Sequence, residues 1–473
     1  MARVLFFQEA LYESFGPQLL SAVLRQDGHD CDMLILACDG KRSIVRALRK
    51  MRPDVVAFSI SSFGYAWSLE LAALAKREVG AVTVFGGPHP TYAKDFARRS
   101  EVDFACRGEG EGALLELVHA LAQGGDVHDI RNLISKNDAG ELKVNPLRPL
   151  IQDLDSVPFP DRSIHFKYRA LRDLPYKRFA VGRGCPYGCT FCFNNAAKDM
   201  YAQLGRYVRH RSPENIVAEI QQVRSRYGIG IVGIVDDTFT VDKKWVLRFL
   251  ELYRREVKLP FTCVVRANEL DEEVTEALGS SGCRYASFGV EVGSEKLRNT
   301  VLGRRMSDDQ IRRAAQLLHA SGVKFLTYNM FGVPGETAAD GMRTIALNVE
   351  IGADLFGTSI FQPLVGTELY ELCRREGYLD DRYAVEDYEK LTTTSPLRKM
   401  PDLPFLERLQ KIGFIAVHFP RLTPLIELLA RLPLNPLYSL VFKVNLFLRF
   451  KVRFQLSLRD CVRIGFRARG RFG

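Results

Sequence analysis

Three cysteines, Cys185, Cys189 and Cys192, stand in the stretch GRGCPYGCTFCF (182–193), a C-x3-C-x2-C spacing. Thiolates are ligands for soft metals, and closed zinc or iron–sulfur sites generally take four of them. A three-cysteine zinc site would need a fourth ligand at a plausible spacing. A cube of four irons and four sulfides offers another use: three thiolates hold three irons and leave one open to an outside chelator. Gly184, Pro186 and Gly188 suit a loop that wraps tightly around such a group.

The other seven cysteines (Cys31, Cys38, Cys106, Cys263, Cys283, Cys373, Cys461) are scattered singly in apolar or helical contexts, as small buried residues are. They form no disulfide framework, and the chain opens on MARVLFFQEA, which reads as a buried first strand rather than an export signal. No run of 18 apolar residues predicts a spanning helix. A cytoplasmic protein is expected.

The elements that must position the cysteines follow from the hydrophobic pattern. Residues 1–125 alternate short apolar runs (VLFF, MLILA, VVAFSIS, AVTVFGG, VDFACRG) with helical stretches, which predicts a doubly wound parallel sheet, Rossmann-like. Ligands of such sheets bind at the carboxyl ends of the strands. Three ends here are rich in Gly, Ser and Pro: SISSFG around Ile60, FGGPHPT with Gly86 and Gly87, and RGEGEG with Gly108 and Glu109. Residues 126–175, dense in Pro and Asp, read as a linker. From 176 to 400 strand and helix alternate six times more, which predicts a partial (β/α)6 barrel with its site at the strand ends. The expected class is α/β throughout, followed by a helical, apolar and basic region at 401–473.

The net charge of +10 sits in that last region. Residues 405–473 carry 13 Lys and Arg against 3 Asp and Glu, leaving 53 of each sign in the rest. Leu- and Phe-rich short helices with arginines suit a membrane surface or an apolar partner. A helical cap on the barrel with solvated arginines is the competing reading.

The cysteine loop, with Phe191 just before the last cysteine, resembles that of the radical S-adenosylmethionine (radical SAM) superfamily, in which SAM chelates the open iron of a [4Fe–4S] cluster. VDDTF places Asp236 and Asp237 where the superfamily contacts the methionyl group of SAM, although the usual Gly-Gly-Glu is missing. FGVEVGSE resembles the family's G-x-E-x-G-S-E run, which implies that Glu291 approaches the SAM ribose. FGVPGET (331–337) and FQPLVGTELY (361–370) resemble the fifth- and sixth-strand motifs. With a doubly wound domain ahead of it, the chain resembles the cobalamin-binding (class B) branch over roughly residues 1–400.

That resemblance implies three cofactors: a [4Fe–4S] cluster, SAM and cobalamin. It implies cobalamin contacts from position 60, Gly86, Gly87, Gly108 and Glu109. The axial-histidine motif Asp-x-His-x-x-Gly is absent: Asp27 and His29 match its start, but position 32 is aspartate. His89 is expected to be a loop residue rather than a cobalt ligand. The implied activity is methylation of an unactivated carbon through a 5′-deoxyadenosyl radical. A non-methylating cyclase or rearrangement enzyme, a methylthiotransferase and a non-catalytic cobalamin or redox module are the rivals. Implied partners are a small, hydrophobic substrate and an external electron donor of the flavodoxin or ferredoxin type. No nucleic acid is expected, and peripheral membrane contact would come through the basic tail.

Overall fold

The computed structural model describes residues 1–137, 139–380, 383 and 393–454. Cys461 and the end of the basic tail lie outside the described residues. Among the described residues the chain divides into two compact units, residues 1–174 with 197–206, and residues 175–196 with 207–454.

The first unit is built on β1 (Arg3–Gln8), β2 (Asp30–Ile35), β3 (Val55–Ser59), β4 (Val82–Gly86) and β5 (Phe104–Cys106), all parallel. These strands are almost wholly apolar and buried because helices cover both faces. Gly80 and Gly124 end two of the covering helices in the left-handed conformation. The segment expected to be a linker instead continues the sheet. β6 (Leu133–Lys136) and β7 (Leu142–Val144) add two antiparallel strands in the order β2-β1-β3-β4-β5-β6-β7. Leu133 and Ile134 are buried, so this stretch has core to contribute, which its Pro and Asp content conceals. The strand order reverses between β1 and β3, the switch point at which doubly wound sheets open a crevice.

The second unit carries six parallel strands: β8 (Tyr176–Phe179), a short antiparallel pair β9 (Gly182–Arg183) and β10 (Arg209–His210) outside the sheet, then β11 (Ile231–Ile234), β12 (Phe261–Val264), β13 (Cys283–Glu291), β14 (Lys324–Phe331) and β15 (Leu355–Ile360). Their order is sequential from β8 to β15, so those two strands are the free edges. The intervening helices start where the side chains cap them. Ser212 accepts from Asn215 N–H, and Ser307 with Gln310 and Thr337 with Asp340 form reciprocal capping boxes.

The basic tail is three α-helices, with one 3-10 turn at Pro420–Leu422, among the described residues. Leu403–His418 is core: Leu406, Leu409, Ile412 and Ala416 are buried, and Gln410 bonds Thr358 of β15. Thr423–Arg431 and Asn435–Phe454 follow. No helix among the described residues is long and apolar enough to cross a membrane.

Candidate active site

The cysteine loop leaves β8 and is shaped by its glycines. Gly184 has φ +87°, and a Cβ there would collide with the Tyr207 carbonyl. Within the loop Cys192 N–H donates to the Cys189 carbonyl at 3.1 Å. Thr190 clamps the loop from both sides: its N–H and hydroxyl donate to the carbonyls of Leu302 (3.2 Å) and Val301 (2.6 Å), and its own carbonyl accepts from Leu369 N–H (2.9 Å). The FQPLVGTELY stretch thus holds the cysteine loop from the end of the sixth strand.

Two arginines stand beside the buried thiol. Arg266 Nη1 and Arg304 Nη1 each lie 3.9 Å from Cys189 Sγ. Arg266 also stacks over Tyr187, 3.5 Å from the ring centroid, while the Tyr187 hydroxyl donates to Glu269 at 2.6 Å. Glu269 accepts in addition from Thr238 and Thr240, tying the loop to the ends of β11 and β12. Burial pushes the Cys185 thiol up to about 11, with Asp237 and the other two cysteines adding in the same direction. Cys192 is raised for the same first reason. A metal group bound by these thiols would have to displace their protons, and the neighbouring guanidiniums favour the thiolate once it forms.

Glu291 ends β13 in the left-handed region, φ +64°, which a glutamate adopts only where its surroundings hold it. Its Oε1 is 3.5 Å from Arg304 Nη1, and Arg304 Nη2 donates to the Gly289 carbonyl at 2.7 Å. A side chain at position 289 would strike both the Glu291 carboxylate and the Arg304 guanidinium, so the glycine makes room for the pair. Burial raises the Glu291 carboxyl, and Arg304, Arg266 and Arg298 oppose it.

Asp236, expected near the methionyl group of SAM, has backbone partners within the chain. Its carboxylate accepts from Val181 N–H at 2.8 Å and from Gly182 N–H, bracing the turn out of β8. Burial pushes it up to about 8 against those two hydrogen bonds. Asp237 is exposed beside Cys185 and Cys192. In FGVPGET, Glu336 turns inward and accepts from Gly332 N–H (2.5 Å) and Val333 N–H (3.1 Å).

In the first unit, the loops around Ile60, Gly86, Gly87, Gly108 and Glu109 gather at the carboxyl ends of β3, β4 and β5. Gly87 has φ +94°, and a Cβ there would lie 2.7 Å from the Ile60 carbonyl. Much of this backbone is already bonded. Ile60 N–H donates to the Gly86 carbonyl, Gly108 N–H to Thr91 and Glu109 N–H to Tyr201, while the Glu109 carboxylate accepts from Ile151 N–H. His89 is buried against Tyr65 and Phe96 with Nδ1 3.1 Å from Ser62 Oγ.

Asp27, His29 and His119 cluster at the opposite end of the sheet, before β2. Ala2 N–H donates to His29 Nδ1 at 3.1 Å, so His29 Nε2 carries the proton, 3.4 Å from Asp27. That nitrogen has no lone pair to offer a metal.

Sequence reasoning did not single out Arg266, Arg304, Tyr187 or Glu269. A charged residue just beyond a strand end, as in VVRANE, or just beyond a helix end, as the arginines of VLGRR are, was the available signal.

Two family models match: the radical SAM superfamily over residues 179–347 and the B12 binding domain over residues 9–118. The chain thus combines a radical SAM domain with a B12 binding domain, the pairing found in cobalamin-binding radical SAM enzymes. Its cofactors are those of the two domains: SAM with a [4Fe–4S] cluster, and cobalamin. An uncharacterized methyltransferase of Pyrococcus horikoshii is 29% identical over 81% of this chain and 83% of its own. The anaerobic magnesium-protoporphyrin IX monomethyl ester cyclase of Rubrivivax gelatinosus is 26% identical over 74% of this chain and 63% of its own. The radical SAM methyltransferase TsrM of Kitasatospora setae, solved with cobalamin and a [4Fe–4S] cluster, shares the fold: TM-score 0.67, 16% identity, 91% of this chain and 99% of that one.

Proposed function

We propose that the chain is a cobalamin-dependent radical SAM methyltransferase that methylates an unactivated carbon of a small molecule. The observation that carries it is the joining, through Arg304, of a three-thiol loop to the Glu291 carboxylate in a chain that also has a B12 binding domain. Cys185, Cys189 and Cys192 would hold the cluster, whose donor set of three soft thiols on one loop fits it. When bound, the cluster supplies the electron that cleaves SAM to a 5′-deoxyadenosyl radical, and cobalamin supplies the methyl group. Arg266 and Arg304 balance the thiolate charge beside Cys189. Glu291 offers a carboxylate acceptor to a ribose hydroxyl, held in place by Arg304. The loops at Ile60, Gly86, Gly87, Gly108 and Glu109 supply a surface for cobalamin at the carboxyl ends of β3, β4 and β5.

The 26% identity to a cyclase favours one second reading, a non-methylating radical reaction on the same scaffold. Anaerobic, reduced protein given SAM and methylcobalamin decides between enzyme and passive module by forming 5′-deoxyadenosine. Loss of the cobalamin methyl group in step with turnover decides for methyl transfer. A methylthiotransferase would need a second cluster, and Cys31 on β2 and Cys106 on β5 are four strand positions apart, about 19 Å. One cluster cannot take both.

Peripheral membrane contact is part of the proposal. On the Asn435–Phe454 helix, Leu437, Leu440, Val444, Leu448 and Val452 are 51–59% exposed and recur every three or four residues, a single apolar ridge. Lys443 and Lys451 accompany it, the arrangement of a helix that lies on an anionic surface.

A further inference from the structure

The other face of the same helix enters the sheet's inner side. Arg449 Nη1 donates to the Phe356 carbonyl of β15 at 2.8 Å, an approach left open by Gly357. Arg453 donates to the Tyr328 hydroxyl of β14 (3.2 Å) and to Ser287 Oγ of β13 (3.0 Å). The Phe454 ring lies 4.2 Å from that of Tyr176, at the start of β8. β8 and β15 are the two free edges of the six-stranded sheet, so the last turns of the helix bridge the gap between them.

The face it meets is the one turned away from the outer helices. Thr327 and Asn329 of β14 bond Asn348 on the Ala338–Glu350 helix, which leaves Leu326 and Tyr328 on the inner side. There a cavity of about 230 Å³ is lined by Leu326, Tyr328, Gly357, Ser359, Arg449 and Arg453.

Two guanidiniums share this space with only neutral partners. Among the described residues neither forms an ion pair with a carboxylate; their bonds go to a carbonyl and two hydroxyls. Arg453 Nε is buried and has no partner. Burial, with the neighbouring Arg453, pushes Arg449 down to about 10. Confined like charges without a counter-charge are unfavourable, and a bound anion relieves both the repulsion and the unmet donor.

We propose that this cavity anchors an oxyanion of the substrate, a carboxylate or phosphate, on Arg449 and Arg453. The inference rests on the reading of this unit as the catalytic one. Ser287 meets Arg453 on the inner face of β13, and Glu291 ends that strand beyond a bulge, four residues or about 13 Å further along. The substrate is then an elongated acid, its charged end held low between the strands while a distant carbon reaches the level of Glu291.

Calorimetry on the full, cluster-loaded chain at low salt tests this with three probes of one chain length: octanoate, octyl phosphate and octanol. At least one anion should bind about tenfold more tightly than octanol, and the better anion identifies the oxyanion. Arg449→Gln and Arg453→Gln should each abolish that preference, with Arg453→Lys restoring part of it. The inference falls if neither anion outcompetes octanol, or if the preference survives in both variants. Should the variants misfold, wild-type protein serves: the favoured anion, and not octanol, should shield Arg449 and Arg453 from phenylglyoxal as mapped by mass spectrometry, and absence of shielding overturns the idea. SAM cleavage is read separately. Cleavage without anion preference removes this inference alone, and anion preference without cleavage removes the catalytic reading alone.

Discussion

Arg304 couples Glu291 to Cys189: one guanidinium nitrogen lies 3.5 Å from the carboxylate and 3.9 Å from the sulfur. The carboxylate is thus oriented by a cation that also stands against the cysteine loop. Glu291→Ala should weaken SAM binding by the equivalent of about 1–3 kcal/mol while the cluster still assembles, because one acceptor for a hydroxyl is lost. Arg304→Gln should lower both SAM affinity and cluster retention. Equilibrium dialysis with SAM, paired with iron analysis, separates the two effects, and unchanged SAM affinity in Glu291→Ala would remove that residue from the site.

The cluster assignment has a direct control within the chain. Anaerobically reconstituted protein should carry one oxygen-sensitive [4Fe–4S] centre with a broad absorbance and a reduced-state EPR signal. Cys185→Ala, Cys189→Ala or Cys192→Ala should abolish it. Cys373→Ala should not, because Cys373 is buried in the Glu368–Arg375 helix. A second cluster lost on changing Cys31, Cys38 or Cys106 would revive the methylthiotransferase reading.

Glu336 makes stability fall with rising pH. Burial lifts its carboxyl from 4.5 to about 8 in the folded chain, so between those values the folded state holds a proton that the unfolded state has lost. Its contribution is fully present below about 4.5 and is lost as pH rises through 8. Glu336→Gln keeps an acceptor for Gly332 N–H and cannot ionise. The melting temperature of this variant relative to wild type should therefore climb between pH 5 and pH 8.5. A constant difference across that range would show that Glu336 does not titrate there.

The apolar ridge is testable without cutting the chain. Truncation near residue 404 would strip the Leu403–His418 helix from the core, so surface substitutions are the cleaner probe. Intact protein should float with anionic liposomes in a salt-sensitive manner, each engaged Lys or Arg adding about 1 kcal/mol. Leu440→Gln with Val444→Gln should abolish flotation and leave the cluster absorbance unchanged. Protein that ignores the liposomes would assign the ridge another role.

The cysteine triad was legible because its residues are neighbours in sequence, and their spacing alone limits the chemistry. The strand ends were legible because apolar runs announce them. Arg266 and Arg304 were not: each acquires its role from the adjacency of β12 and β13 to the cysteine loop, a contact that spans 77 and 115 residues. Asp236 was recognised as a strand-end acid, but nothing in VDDTF tells that its carboxylate is turned to the amides of Val181 and Gly182. Residues 126–175 misled for the opposite reason, since two short strands were hidden among turn-forming residues.

The helix that bridges β8 and β15 separates two jobs along the chain. Everything that arranges the thiols and Glu291 lies between Phe179 and Leu369, whereas Arg449 and Arg453 come from a segment appended after the last strand. On the proposed anchoring of the substrate by these arginines, exchanging the Asn435–Phe454 helix changes which molecules are accepted and leaves the radical-forming part as it is. Chimeras that exchange only residues 435–454 are therefore the natural currency for redirecting it to other molecules.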